Sequence, residues 1–335
     1  MSTNNLFENL FIFEMANSHQ GSVDHGIKII KAMGRIARKY NINAAVKLQY
    51  RNLDTFIHPD YVNRKDVKHV PRFMGTRLEY EEFRELVDAI HDEEMVAMST
   101  PFDEDGVEWC LDHGIDIIKV ASCSSLDWPL LTKIAFARKP VIISTGGKRL
   151  SDIDKIYNFF THKGCEFALL HCIAEYPAPK ENLQLDFIER MQRRYRGITI
   201  GYSGHEDPND NIVPMLAIAK GAEILERHVG YPTDKITLNA YSMNPEQADM
   251  WVKASLDAIE MCRSKKKNDK YISQEELDSL NSLKRGVYVK RDIKAGEEIR
   301  EEDVFYAMPC QDGQMDSGEF VEGLIASKDY KVNDG

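Results

Sequence analysis

Short apolar runs recur along this 335-residue chain, each bounded by Gly, Pro or Ser and separated from the next by an amphipathic or charged stretch. They read LFIFEMA (10–16), AAVKLQY (44–50), MVAMSTPF (95–102), IDIIKVAS (115–122), PVIISTG (140–146), FALLHC (167–172), ITIGYSGH (198–205) and AEILERHVG (222–230). Unbroken apolar runs of this length signify parallel strands covered on both faces, since a strand wetted on one face would alternate. The intervening stretches carry the helical period: one begins at Ser22 and runs to 40, and others cover 80–93 and 104–113. For the last helix, Asn244 supplies an N-cap and Pro245 a first-turn proline. A long, irregular, charged excursion follows the second run. Eight strand–helix units in ~265 residues predict an α/β chain folded as a TIM (β/α)8 barrel rather than an open doubly wound sheet. The first strand is also not followed by the GxGxxG that a dinucleotide-binding fold needs.

The texture changes near the end. The barrel is expected over 1–268, a charged linker over 269–283, and a small β-rich module over 284–335. Within that module KRDIKAGEEI (290–299) is echoed by SKDYKVNDG (327–335), and the second copy stops where the first runs on. That pattern reads as a clipped C-terminus or a polypeptide that continues. A formal charge of −11 argues against a nucleic-acid surface, which shows a basic patch. No apolar run approaches the ~20 residues of a membrane span. The N-terminus lacks the basic start and cleavage site of a signal peptide. Six scattered cysteines without a CxxC pair read as reduced thiols in a cytoplasmic protein.

In a TIM barrel the chemistry gathers at the C-terminal ends of the strands. Taken in order, those ends hold Glu14; Lys47 and Gln49; Thr100; Lys119 and Ser122; Ser144 and Thr145; His171; Ser203 and His205; Glu226 and His228. Any one of these has an ordinary explanation, since a lysine can snorkel and a serine often ends a strand. Together they are costly to desolvate in a barrel mouth unless they meet partners or a ligand. Two lysines with several hydroxyls suit an anionic, phosphorylated substrate. His205 and His228 stand at matching depth on adjacent strands and could share one ion. With no thiolate or third side-chain ligand beside them, Mn2+ or Mg2+ fits better than structural zinc, and acid/base or phosphate-contact roles stay open.

The fragments EMANSHQG, VKLQ, STPFD, IKVAS, ISTGG, LLHC, YSGHE, ILERH and SMNP occur in an order that resembles the sialic acid synthase family. VKRDIKAGEEIREEDV resembles that family's C-terminal antifreeze-like (SAF) domain. The resemblance spans nearly the whole chain. It implies condensation of phosphoenolpyruvate with an N-acylated hexosamine aldehyde, in a homodimer whose SAF domain covers the partner's barrel mouth. By motif, Lys47, Thr100, Lys119, Ser122, Ser144 and Ser203 would contact phosphoenolpyruvate, and His205 and His228 would hold the divalent metal. Glu14 would sit beside the reacting carbons, with Gln49, Tyr176 and Glu226 shaping the site.

The departures are as informative. Ser124 stands where the family pattern puts a glutamate, Ala174 where it puts an asparagine, Leu238 or Asn239 where it puts an aspartate, and Met308 where it puts an arginine. Three of these four lie on the sugar side, so the acceptor is expected to differ from plain N-acetylmannosamine. Two alternatives accompany this reading. One is another phosphoenolpyruvate-condensing barrel that takes a phosphorylated aldose, for which Arg51, Arg72 and Arg77 would supply the extra positive charge. The other is a barrel that binds sugar without catalysis.

Overall fold

A computed structural model describes residues 6–263 and 270–335. The chain divides into two compact units, Met1–Arg263 and Ser264–Gly335. The division therefore falls five residues before the expected 268/269 boundary, and the expected linker is not wholly irregular. A helix occupies Gln274–Asn281, with Ser273 Oγ accepting from the Glu276 amide as its cap. It buries no residue, which is why its apolar content signalled nothing.

In the first unit the eight runs form β1 (Leu10–Glu14), β2 (Ala44–Tyr50), β3 (Val96–Pro101), β4 (Ile117–Val120), β5 (Val141–Ser144), β6 (Phe167–Cys172), β7 (Thr199–Gly204) and β8 (Ile224–His228). All pair in parallel with their sequence neighbours, and β8 closes on β1. Side-chain alternation divides each strand between two apolar layers. Ile12, Met98, Ile117, Ile142, Leu170 and Ile224 fill the barrel interior. Phe11, Phe13, Val46, Leu48, Ile118 and Ile143 face outward to the helices. Gly201 is required inside, because a Cβ there would stand 2.6 Å from both Ile224 Cβ and Leu170 Cδ2. With the lower interior packed solid, polar groups enter only at the last one or two inward positions of each strand.

The helix Val23–Tyr40 starts at its Ser22 cap, and Pro245–Cys262 starts at Asn244 with a capping box to Gln247. Tyr80–Asp92 and Glu104–Asp112 match the expected helices within a residue or so. The excursion after β2 is more ordered than its composition suggests. Short helices Leu53–Phe56 and Val70–Gly75 enclose a small cluster of Leu53, Ile57 and Val70.

In the second unit β9 (Gly286–Val289) pairs antiparallel with β11 (Val304–Ala307), and β10 (Glu298–Ile299) with β12 (Leu324–Ile325). The echoed segments pair with each other. Ile293 and Tyr330 exchange both backbone hydrogen bonds. Asp292 accepts from the Val332 amide and Lys331 Nζ, while Asp329 accepts from the Ala295 amide and Lys294 Nζ. Gly296 and Asn333 take matching left-handed φ values of 86° and 69°. The repeat is therefore a local pseudo-two-fold in which each copy caps the other. No helix among the described residues is long and apolar enough to cross a membrane.

Candidate active site

Alternation brings Glu14, Lys47, Gln49, Thr100, Lys119, Ser144, Ser203, Glu226 and His228 to the inner face at the C-terminal end of the barrel, with Ser122 and His205 immediately past their strands. Lys47 is the hub. Its Nζ lies 2.5 Å from Glu14 Oε2 and 2.8 Å from Glu226 Oε1. Ser203 Oγ donates to the same Glu226 oxygen at 2.9 Å, while Glu226 Oε2 is buried with no hydrogen-bond partner among the described residues. A buried acceptor left open in this way is suited to a donor brought by a ligand or water. Gln49 Nε2 donates to Glu14 Oε1 at 3.4 Å, and Arg51 Nη2 donates to Gln49 Oε1 at 3.0 Å, which fixes the orientation of the amide.

Lys119 forms a second cationic point. Its Nζ donates to Ser144 Oγ at 2.6 Å and to the Val120 carbonyl at 2.9 Å. Ser122 Oγ accepts from the Gly146 amide at 2.9 Å. A Cβ on Gly146 would lie 2.8 Å from that hydroxyl and 3.2 Å from Cys172 Sγ, so glycine keeps this cradle open. Thr100 is buried beside Gln49, its Cα partner on β2.

Sharing one lysine splits the two carboxyls. Burial pushes Glu226 up, but Lys47, Lys119 and the bonds from Lys47 and Ser203 outweigh it and hold the group down at about 2. Burial dominates at Glu14, with help from the Glu226 charge and against Lys47, and its carboxyl is raised. Environments that separate two neighbouring carboxyls in this way mark one as a proton carrier and the other as a fixed anion. Lys47 is desolvated too, yet Glu14 and Glu226 hold it above the ordinary lysine value. Lys119 has no such close pair, and burial pushes it down to about 8.

The two imidazoles lie together, with ring centroids 5.4 Å apart. His205 Nδ1 donates to the Ile173 carbonyl at 2.9 Å, which sets the tautomer and leaves Nε2 its lone pair. Burial pushes His205 down to about 4 and His228, beside it, well below the usual histidine value. Both rings are therefore neutral near pH 7 and able to ligate a cation. Among the described residues no set of three His, Cys, Asp or Glu side chains is arranged to hold a metal. Tyr176 stands 4.3 Å from the His205 ring, and Tyr241 5.0 Å from the His228 ring.

One strand-end reading is corrected. His171 faces outward: its Nε2 donates to the Leu183 carbonyl at 2.8 Å, and its ring packs against Phe187. The inward residue of that strand end is Cys172, whose Sγ lies 3.8 Å from Ser122 Oγ and 4.0 Å from His205 Nδ1. Counting alternation back from the inward Ala168 and Leu170 would have found it. Tyr241, on the loop after β8, had no periodic signal.

Barrel and mouth together define an enzyme site that sets two lysines, two carboxyls and two neutral imidazoles around one small volume. The chain belongs to the NeuB family, whose model matches residues 36–267, and it is an enzyme of the sialic acid synthase type. It is 30% identical over 251 residues to the N,N'-diacetyllegionaminic acid synthase of Campylobacter jejuni, covering 71% of this chain and 70% of that protein. A crystal structure of a Chromobacterium violaceum protein assigned as spore coat polysaccharide biosynthesis protein E superposes with a TM-score of 0.93 at 44% identity, over 97% of each chain. The N-acetylneuraminic acid (sialic acid) synthetase of Leptospira borgpetersenii superposes with a TM-score of 0.71 at 26% identity, over 82% of this chain and 91% of that one.

Proposed function

We propose that this chain condenses phosphoenolpyruvate with the open-chain aldehyde of an N-acylated hexosamine, giving a nonulosonic acid and phosphate. The observation that carries the reading is the buried Glu14–Lys47–Glu226–Ser203 network set beside Lys119–Ser144 and the imidazole pair. Lys47 and Lys119, with the hydroxyls of Thr100, Ser122, Ser144 and Ser203, hold the carboxylate and phosphate of the enolpyruvate in register. Its C3 attacks the aldehyde carbon, and the aldehyde oxygen takes up a proton. C2 then gains cationic character, water adds there, and the tetrahedral carbon expels phosphate. Glu14, the raised carboxyl, accepts the water's proton, while the ionised Glu226 stabilises the developing positive charge. A divalent ion, Mn2+ or Mg2+, on His205 and His228 would supply Lewis-acid polarisation of the aldehyde. We also assign residues 284–335 as an antifreeze-like domain that covers the partner's mouth in a homodimer, as the family resemblance implies.

The sugar side differs from the family pattern in physical terms as well. Ser124 is buried beside Ser122, and Leu238 lies against Gly230, where a Cβ would meet Leu238 Cδ2 at 2.6 Å. Met308 is exposed. These are neutral groups where charged ones are expected, which favours an acceptor other than N-acetylmannosamine. Two of the three arginines proposed for the phosphorylated-aldose alternative, Arg51 and Arg77, are already engaged, which leaves Arg72 to supply its positive charge. Arg51 is stacked between Phe102 and Phe73 and bonded to Gln49, and Arg77 is engaged by Asp54 and Glu79. Incubation with phosphoenolpyruvate, Mn2+ and a panel of 2-acetamido and 2,4-diacetamido hexoses should give a nine-carbon keto acid by mass. A product formed only from a phosphorylated pentose or tetrose would overturn the assignment.

A pH dependence follows from Lys119. Its folded value of about 8 means that the free enzyme loses this charge in mildly alkaline solution. kcat/KM for phosphoenolpyruvate should fall about tenfold per pH unit above that point, because this ratio reports free-enzyme groups. Lys119→Arg should lower activity yet abolish the alkaline limb, since arginine does not deprotonate in this range. An unchanged limb in that variant assigns the titration elsewhere.

A further inference from the structure

We infer that Glu206 and Arg227 form a buried clip that sets the spacing of the two imidazoles; the inference rests on His205 and His228 being the metal pair. The register between β7 and β8 pairs Ser203 with Glu226 and Gly204 with Arg227, which brings His205 level with His228. Glu206 directly follows one histidine, and Arg227 directly precedes the other. Alternation turns Arg227 to the outer face of β8, opposite Glu226 and His228.

The two residues are each 1% exposed. Arg227 Nη1 lies 3.1 Å from Glu206 Oε1, and Arg227 Nη2 donates to the Glu206 carbonyl at 2.7 Å. Tyr202 OH donates to Glu206 Oε2 at 3.0 Å. The carboxylate folds back over Gly204, where a Cβ would stand 2.5 Å from Oε2, so the glycine makes the clip possible. On its other side, His205 is held by its Nδ1 bond to Ile173 and by its carbonyl, which accepts from the Ala178 amide at 2.9 Å.

A buried ion pair contributes little net stability over apolar residues of similar size, and its best-attested use is to specify geometry. Here the geometry is the distance between two ligands on separate strands. Glu206 and Arg227 are thus positioning residues, acting through the backbone of their neighbours. Support around metal-binding histidines typically governs affinity by 10–100-fold.

The test uses the full chain. Mn2+ binding is followed by the electron paramagnetic resonance of the free ion, and the imidazole 15N resonances of His205 and His228 are recorded without metal. Two variants are compared with wild type. Glu206→Gln keeps the shape of the clip, and the double variant Glu206→Leu/Arg227→Met removes both charges, so no stranded ion forces unfolding. The double variant should fold but bind Mn2+ roughly 10–100-fold more weakly, with shifted or broadened imidazole resonances, while Glu206→Gln falls between it and wild type. Mn2+ affinity within about twofold of wild type, together with wild-type imidazole spectra, overturns the clip. If wild type itself binds no Mn2+, the metal reading fails, and the metal-free imidazole spectra alone decide the clip. If the double variant does not fold, wild-type affinity and spectra in Glu206→Gln overturn it.

Discussion

Lys47→Met is expected to destabilise the barrel by about 3–5 kcal/mol at pH 7 and to lower turnover by roughly 10²–10³-fold. The reason is local. Lys47 is the only cation within ion-pairing distance of either Glu14 or Glu226 among the described residues, and all three side chains are almost fully buried. Methionine fills most of the volume but leaves two carboxyls with only the Gln49 and Ser203 hydrogen bonds and the more distant Lys119 charge. The pH dependence makes the cause visible. In the native protein Glu226 is depressed from 4.5 to about 2, so it contributes stability above its unfolded value, and that contribution is lost as pH falls from 4.5 through 2. Lys47, raised above 10.5, contributes stability present at neutral pH and lost only as pH rises through its folded value. Without the lysine, Glu226 loses its main counter-charge and its carboxyl rises, so ionisation begins to oppose folding. Urea unfolding should therefore show the smallest gap between variant and wild type near pH 4 and a growing gap toward pH 7. A gap constant over that range would mean that lost packing, not stranded charge, sets the cost.

How much of this was legible in the chain follows from the range of each interaction. Strand positions were readable because doubly covered strands must be apolar throughout, and strand ends were readable because a polar group ends such a run. Lys47, Lys119, Ser203 and Glu226 are legible as polar interruptions near the C-terminal ends of those runs, and the level of His205 with His228 follows from counting along two adjacent runs. The same counting applied loosely chose His171 over Cys172, where a shift of one residue exchanges the mouth for the helix layer. The partition of charge between Glu14 and Glu226 was not readable, since it depends on a lysine 33 residues from one and far from the other meeting both. The Glu206–Arg227 clip was hidden for the same reason: each residue looks like an ordinary surface charge until the register pairs them. In the second unit the echo was visible, but its meaning as reciprocal capping required the pairing of Ile293 with Tyr330.

Glu14→Gln should separate chemistry from stability in the opposite sense to Lys47→Met. Burial raises the Glu14 carboxyl above its unfolded value, so its ionised form burdens the folded state at neutral pH. The folded state gains relative stability only as pH falls low enough to protonate it. Glutamine removes that burden and leaves Lys47 in a one-to-one pair with Glu226, and its carbonyl oxygen can still accept from Lys47 or from Gln49, though only from one of them. Stability at pH 7 should be equal to or above wild type, with the advantage fading as pH falls through the raised folded value of Glu14 and gone by about pH 4.5, below which the carboxyl is protonated in both states. Turnover should nevertheless fall by roughly 10²–10⁴-fold, because an amide cannot accept the proton from the attacking water. KM for phosphoenolpyruvate should stay near wild type, since Lys47 and Lys119 remain to hold its anionic groups. This combination of intact folding, intact binding and lost turnover distinguishes a proton carrier from a scaffold. If turnover falls less than about tenfold, the proton goes elsewhere, and the raised carboxyl of Glu14 is a by-product of crowding two acids around one lysine.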